Sequence, residues 1–473
     1  MNTSAPIIWW VRRELRLSDN QVLQACIETG QPIIPVFILD EVFETYGAAP
    51  LWRFGLGAEV FAKSLASVDS RLIFRRGKAL DVLQDIIAET GATAVRWGRA
   101  YDPDQIERDT NVKGALAETG IDAKSVSAHL IFEPWSVETK TGDFYKVYSP
   151  FWRAVKDRPV SDLIAAPRKL RAPELWPSSE SPKDWKLDKR MKRGAAIVQP
   201  HICVGEEAAL HRLDAFVETR IDAYKAERDF PAIPATSKLS ENLAWGEISA
   251  RTLWHRGMQA SLGGAKGAEH FVKEVVWREF AYHLMWHTPH ILSGNWREGW
   301  DAFPWNDDGE SEFATAWKQG RTGIRFVDAA MREMYVTGHM HNRARMIVAS
   351  YLTKHLMTHW RVGLKWFEDC LIDWDPASNA MGWQWAAGSG PDAAPYFRVF
   401  NPVTQLEKFD ADEAYQNAWI AEGQLMPTET ALSYFKAVPK SWNMSANQTY
   451  PNPIVTAETG RKRALEAYEA RSF

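Results

Sequence analysis

Five short apolar runs separated by helix-like segments dominate the first 132 residues. They are IIWWV (7–11), PIIPVFIL (32–39), RLIF (71–74), TAVRW (93–97) and SVSAHLIF (125–132). A strand that is apolar on both faces has to be covered on both faces. The segments between the runs, such as DNQVLQACIETG and ALDVLQDIIAETG, carry helical periodicity and close on glycine. Strands alternating with helices in this way predict a parallel, Rossmann-like α/β domain over residues 1–132. No G-x-G-x-x-G follows the first run, so a dinucleotide fingerprint is absent there.

Residues 133–205 are rich in proline, from Pro134 to Pro200, and read as a long connector. Beyond it no strand pattern appears. Helical periodicity prevails over 206–224, 269–287, 324–336 and 341–358, so residues 206–473 are expected to form an all-α domain.

With 473 residues, the chain is long enough for several domains and a large core. It has no apolar run long enough to span a bilayer and no signal-peptide pattern at its start. Cys26, Cys203 and Cys370 are too scattered for a zinc motif or a disulfide framework. A cytoplasmic protein without metal, acting as a monomer away from membranes, is expected. The net charge of −4 excludes a polycation but leaves room for a local basic groove. The compositional outlier is tryptophan, with 23 copies.

Several constellations carry chemistry. In EHFVKEVVWREFAYHLMWH (269–287), Glu274, Trp277 and Arg278 stand at i, i+3 and i+4 and share one helix face. A ring to stack on, a carboxylate and a guanidinium suit a nucleobase; a surface ion pair beside a packed ring gives the same pattern. In GHMHNRARMIVASYL, Asn342, Arg345 and Met346 repeat that spacing. Thr236, Ser237 and Ser240, with Lys238 and Leu239 between them, offer three hydroxyls ahead of a helix, as an anion cradle or as a cap. Asp373 and Asp375 form a carboxylate pair for which Arg345 is a candidate partner. His283 with His287, and His355 with His359, have i, i+4 spacing but lack an intervening Glu and a third ligand.

Taken jointly, these segments resemble the cryptochrome/photolyase family over nearly the whole chain. The resemblance rests on WWVRRELRLSDN, VYSPFWRAV (147–155), TSKLS, EVVWREF (274–280), GHMHNRARM (338–346) and DWDPASNAMGWQWAAGSGPDAAPYFRVFNP (373–402). It implies an α/β N-terminal domain and a helical domain that binds FAD. Tyr224 and Thr236, Ser237, Lys238, Leu239 and Ser240 are then expected at the FAD phosphates and ribose. Phe271, Arg278, Asn342, Arg345, Asp373 and Asp375 are expected at the cofactor, with Asn379 beside flavin N5. Lys238 stands where relatives often carry Arg, and Phe271 where some carry Trp.

The resemblance further implies light-driven repair of cyclobutane pyrimidine dimers in UV-damaged DNA. Trp383, Trp360 and Trp305 match the family's electron-transfer chain. Trp277 and Trp385 match the rings that pack against the lesion, and Glu274 the carboxylate that hydrogen-bonds to it. Asn342 and Met346 match pocket residues; (6-4) photolyases carry histidines in that region. Arg343, Arg398 and Lys408 are expected phosphate contacts. A blue-light-sensing cryptochrome and a (6-4) photolyase are the alternatives. A second, antenna chromophore is also implied, with methenyltetrahydrofolate, a deazaflavin, another flavin or none left open. If 383–385 is extended, Trp383 and Trp385 point to opposite sides; in a helix they are separated by about 200°.

Overall fold

The computed structural model describes residues 5–392 and 397–471, so residues 393–396 of the last long motif lie outside the described residues. Five strands form one sheet: β1 (Ile7–Val11), β2 (Ile33–Leu39), β3 (Ile73–Arg76), β4 (Ala94–Gly98) and β5 (Asp122–Val126). All four pairings are parallel, in the order β3-β2-β1-β4-β5, with Ile7 opposite both Ile33 and Ala94. Every residue of β1 and β2 is buried. The alternation of Cβ directions sends Trp9 and Trp10 to opposite faces.

The helices that cover those faces are α1 (Gln21–Ile27), α2 (Ala48–Ala66), α3 (Ala79–Thr90) and α4 (Pro103–Glu118). Trp9 meets Phe61 of α2 edge-on at 5.7 Å, whereas Trp10 joins Leu83 of α3 and Leu116 of α4 in a separate core. Local signals start the helices: Asn20 caps the amide of Leu23, and Asp102 caps that of Gln105 ahead of Pro103.

The apolar run 125–132 is strand only through Val126, contrary to its reading as one continuous strand. Its remainder turns out of the sheet to the helical domain, where Leu130 and Phe132 pack into another core. A short apolar run does not reveal whether a sheet or a neighbouring helix buries it.

The connector contains α5 (Tyr148–Val155), then runs along the sheet edge, where Glu180 N–H bonds the Phe74 carbonyl at 2.8 Å. It ends in α6 (Ala195–Val198). The rest of the chain is helical. First come α7 (Glu206–Thr219), α8 (Tyr224–Glu227), α9 (Ser240–Ala244), α10 (Ala250–Leu262) and α11 (Ala268–His287). These are followed by α12 (Glu312–Lys318), α13 (Arg325–Thr337), α14 (Asn342–Ser350), α15 (Trp360–Cys370), α16 (Pro376–Ala387) and α17 (Pro402–Phe409). Two expected helices are interrupted. The segment 206–224 breaks after Thr219, where Arg220 leaves helical geometry at φ −132°. The segment 341–358 widens into a π turn, Tyr351–His355, after Ser350. Left-handed Met357, at φ 52°, ends it.

Buried arginines seam the two domains together. Arg53 of α2 is fully buried and forks onto Glu247 at 2.7 and 2.9 Å, while its Nε reaches Glu241 at 2.9 Å. Arg16 donates to the carbonyls of Gly246, Asp19 and Ala128. Gly246 sits at φ +68°, and a Cβ there would meet the Arg13 carbonyl oxygen at 1.9 Å, so no other residue lets the domains approach as closely. Arg53→Met would leave buried Glu247 without a cation among the described residues and take one of two arginines from Glu241. A loss of about 3–5 kcal/mol is expected, read from the shift of the urea unfolding midpoint.

Candidate functional site

Helix α11 brings one group of candidate residues together. Trp277 lies flat on Tyr148 of α5, with ring centroids 3.7 Å apart and planes 8° apart. The Tyr148 hydroxyl donates to the Lys273 carbonyl at 2.7 Å, which fixes the supporting ring. One turn before Trp277, Glu274 is ion-paired with Arg228 and lies 3.7 Å from His270. Arg228 also covers the ring of Tyr224 at 5.3 Å, and Tyr224 and Phe271 share a buried aromatic cluster with Phe216. The helix thus presents a backed ring beside a half-exposed carboxylate. Arg278 is turned inward, donating to the His129 carbonyl and to Glu279, both at 3.1 Å.

The segment 236–240 is built for an anion. Lys238 has a left-handed φ of 52° and Leu239 follows at φ −88°, ψ 1°. Such a succession turns neighbouring amides to one side and forms an anion-binding nest. Helix α9 begins at Ser240 without a side-chain cap. Among the described residues, the hydroxyls of Thr236, Ser237 and Ser240 make no hydrogen bond within the protein. Arg212 supports the nest from behind, donating to the Lys238 carbonyl at 2.6 Å and to Glu241 at 2.8 Å. Burial alone would raise the pKa of Glu241, but His339, Arg53 and Arg212 outweigh it and hold the carboxyl down at about 2.

On α14 the cations are paired. The Nη2 of Arg345 contacts both oxygens of Asp373, at 2.7 and 3.0 Å, so the partnership with the carboxylate pair is with Asp373. Arg343 pairs with Asp229 at 2.6 Å and covers Phe409 of α17, where Lys408 also lies over the ring. Asn342 is exposed and Met346 half-buried on the same helix. Arg398 is exposed at the start of the segment leading to α17.

Asp375 faces elsewhere. Its Oδ1 caps α16 by accepting from Ser378 N–H at 2.9 Å. Its Oδ2 accepts from Arg13 of the N-terminal domain at 3.1 Å and from the Tyr282 hydroxyl of α11 at 2.5 Å. Burial disfavours its charge, yet Arg13 and Arg278 overcome this and lower its pKa, so it stays ionised. The Tyr282 oxygen also lies 2.9 Å from His129 Nε2.

Helix α16 includes 383–385, so these residues are helical and not extended. Trp383 and Trp385 still diverge. Trp383 is buried against Gly363 of α15, where a Cβ would come within 2.0 Å of its ring, and Phe367 lies edge-on at 4.9 Å. Trp360 lies one turn before Gly363 on α15 and donates to Asn295 at 2.8 Å. His359 bridges Trp360 and Trp305, with ring centroids at 5.3 and 5.2 Å, and Trp305 is half-exposed. Trp383 and Trp360 are thus buried in the core beside α15, and Trp305 lies toward the surface. Trp385 lies on the other side, 6.4 Å from Phe400. Asn379, one turn into α16, donates to the Leu364 carbonyl at 3.2 Å, and among the described residues its own amide oxygen accepts no hydrogen bond.

The His283 and His287 pair is held by backbone. His283 takes the Tyr145 N–H at 3.0 Å and contacts the Pro134 carbonyl at 3.2 Å. Among the described residues no group of His, Cys, Asp or Glu is placed to hold a metal. Arg13, His129, Tyr148, Arg212 and Arg228 were not singled out by the sequence. Arg13 and Tyr148 stood in recognised motifs, but all five find their partners across long stretches of chain.

A second cleft of about 350 Å³ opens at the carboxyl ends of β1 and β4, between Arg12, Arg99, Tyr101, Gln105 and Tyr282. The sheet order reverses between these strands, and open α/β sheets bind ligands at such points.

The donor set fits a flavin dinucleotide: an anion nest, an Asp–Arg pair, an amide, and the buried indole N–H of Trp383, which has no acceptor among the described residues. Comparisons with known proteins agree. Residues 271–470 match the family described as the FAD binding domain of DNA photolyase, and residues 7–172 match DNA photolyase. A deoxyribodipyrimidine photo-lyase from Agrobacterium fabrum is 44% identical over 99% of this chain and 98% of its own. The crystal structure of a bacterial class III photolyase from Agrobacterium tumefaciens superposes with a TM-score of 0.89 at 42% identity, covering 99% and 98% of the two chains. An archaeal photolyase from Sulfolobus tokodaii, described with two FAD molecules, has a TM-score of 0.80 at 26% identity over 98% and 99%.

Proposed function

Because the chain belongs to the cryptochrome/photolyase family, we propose that it is a deoxyribodipyrimidine photo-lyase that uses light to split cyclobutane pyrimidine dimers in UV-damaged DNA. FAD, bound and reduced, supplies the light-excited electron. The observation that carries repair over light sensing alone is the Trp277 platform, held flat by Tyr148 one turn from Glu274. A sensor needs no backed ring beside a carboxylate, whereas an extruded base stacks on one and hydrogen-bonds to the other.

The nest at 236–240 holds the cofactor's phosphates, and Tyr224 and Phe271 wall it. Arg345, kept in place by Asp373, and Asn379 orient the flavin, Asn342 completes the site, and the inward-turned Arg278 and Asp375 support it from behind. Trp277 and Trp385 sandwich the dimer, with Met346 and Asn342 lining its pocket. Glu274 accepts a hydrogen bond at the base edge. Trp383, Trp360 and Trp305 conduct electrons between the flavin and the surface. Arg343, Lys408 and Arg398 take DNA phosphates, Arg343 exchanging Asp229 for phosphate as DNA arrives. An antenna chromophore occupies the cleft beyond β1 and β4. The working division is 1–132 antenna domain, 133–205 connector and 206–473 catalytic domain, in a cytoplasmic monomer. In the described residues no helix is long and apolar enough to cross a membrane.

The reading is tested by illuminating the reduced protein with a dimer-containing oligonucleotide and measuring restored pyrimidines. Trp277→Ala is expected to weaken lesion binding by about 1–3 kcal/mol, the contribution of one stacked base. Glu274→Ala is expected to lower the repair yield per absorbed photon more than the affinity, because a preorganised group acts most on the charged species. Wild-type binding and repair in both variants, or no repair by the parent, contradicts the assignment. Trp383→Phe is expected to abolish photoreduction of the oxidised protein and to spare repair by chemically reduced protein; photoreduction at the parent rate contradicts the electron route.

A further inference from the structure

Residues 183–193 read KDWKLDKRMKR, with six cationic side chains against Asp184 and Asp188 in a chain whose net charge is −4. The segment is two consecutive 3₁₀ turns, Pro182–Trp185 and Leu187–Arg190, joined by Lys186. Lys183, Lys186, Lys189 and Lys192 recur every third residue, the repeat of a 3₁₀ turn, and all four are exposed. Trp185, Leu187 and Met191 between them are buried.

The apolar residues fasten this segment to the fold. Trp185 packs on Phe37 and Phe74 at 6.2 and 5.9 Å and donates to Glu180 at 2.9 Å. Leu187 sits so close to α2 that a Cβ on Gly55 would meet its Cδ1 at 2.7 Å. Arg193 closes the far end on the carbonyls of Met334 and Cys370, at 2.9 and 2.6 Å. With one side nailed down, the four lysines stand together on the solvent side.

Their charge is uncompensated. Arg190 pairs with Glu44 at 3.7 Å, but no carboxylate among the described residues forms an ion pair with any of the four lysines. Lys186 also holds a left-handed φ of 52°, a conformation that glycine or asparagine adopts far more readily. A long cation therefore occupies a position whose backbone geometry disfavours it. The segment belongs to the connector on α2 and the sheet edge, and it contains none of the residues assigned to the lesion site.

We propose that this lysine face is a second nucleic-acid contact, holding the phosphate backbone of duplex DNA outside the lesion site. The proposal rests on the repair reading. An enzyme that seeks rare lesions needs sequence-independent affinity for undamaged duplex, and with a net negative charge only a local cationic surface supplies it. The evenly spaced flexible ammonium groups match phosphate as point charges and read no sequence.

The test compares the FAD-loaded parent with a variant carrying Lys183→Gln, Lys186→Gln, Lys189→Gln and Lys192→Gln. Two DNAs are titrated over a range of salt: a lesion-free duplex several helical turns long, and a dimer-containing duplex only as long as the lesion site. For the variant on long duplex, the log–log salt slope is expected to flatten by about 0.9 for each phosphate that the protein no longer neutralises. Affinity there falls several-fold, while binding and repair of the short duplex are unchanged. Lys186→Gly adds a readout that a purely structural role would not move: Tm rises as the left-handed position is relaxed, yet long-duplex binding weakens. An unchanged slope on long duplex beside intact dimer repair overturns the lysine face alone. So does weaker binding of the variant to poly-glutamate with duplex binding unchanged, which assigns the surface to an acidic protein. Absence of dimer repair in the parent instead overturns the repair reading.

Discussion

The carboxylate of Asp375 joins three parts of the molecule at one point. It caps the first turn of α16 through Ser378, takes the Tyr282 hydroxyl of α11, and takes Arg13 from the end of β1. Its surroundings are dry, so breaking any one of these bonds would leave a polar group unsatisfied, and the three constraints act together. Helix α11 carries Glu274 and Trp277; α16 carries Asn379, Trp383 and Trp385. This one side chain ties those two helices to each other and to the N-terminal domain. The N-terminal domain thereby reaches the helical domain through Arg13.

Other elements follow the same logic of fixing a functional group from behind. Tyr148 keeps Trp277 flat, Arg212 holds the Lys238 carbonyl, and Gly363 lets the Trp383 ring lie against α15. A stacking surface or a phosphate nest loses no freedom on binding when its supports already hold it in place. The lysine segment at 183–193 repeats the arrangement, with Trp185 and Leu187 as the hidden supports and the cations as the exposed surface.

Much of this was legible in the sequence. Apolar runs that must be covered on both faces located four strands to within a few residues, and the loss of that pattern after the connector marked the helical domain. The Arg345–Asp373 pair was accessible because both lie in segments with a recognisable site pattern. The failures have a common physical origin. The run 125–132 leaves the sheet because α11 supplies its burial, and a run apolar on all sides does not say which neighbour will cover it. The partner of Asp375 is Arg13, 362 residues earlier, and no local periodicity encodes a contact closed only by domain docking. His129 and Tyr148 escaped notice for the same reason, and Arg228 because its partner Glu274 lies far along the chain within the helical domain. At 383–385 either backbone geometry separates the two rings, so their divergence was foreseeable while the helix was not.

The claim that Asp375 is a single hub is tested most directly by a double-mutant cycle on global stability with Arg13→Met and Tyr282→Phe, measured by urea unfolding. Both side chains end on that carboxylate, and repeating the cycle on an Asp375→Asn background separates its share from their direct interaction. If it couples them, the double mutant departs from additivity by at least about 1 kcal/mol, within the range of roughly 0.5–3 kcal/mol seen for residues sharing one hydrogen-bond network. Additivity to within about 0.3–0.5 kcal/mol, as for distant independent sites, would contradict it.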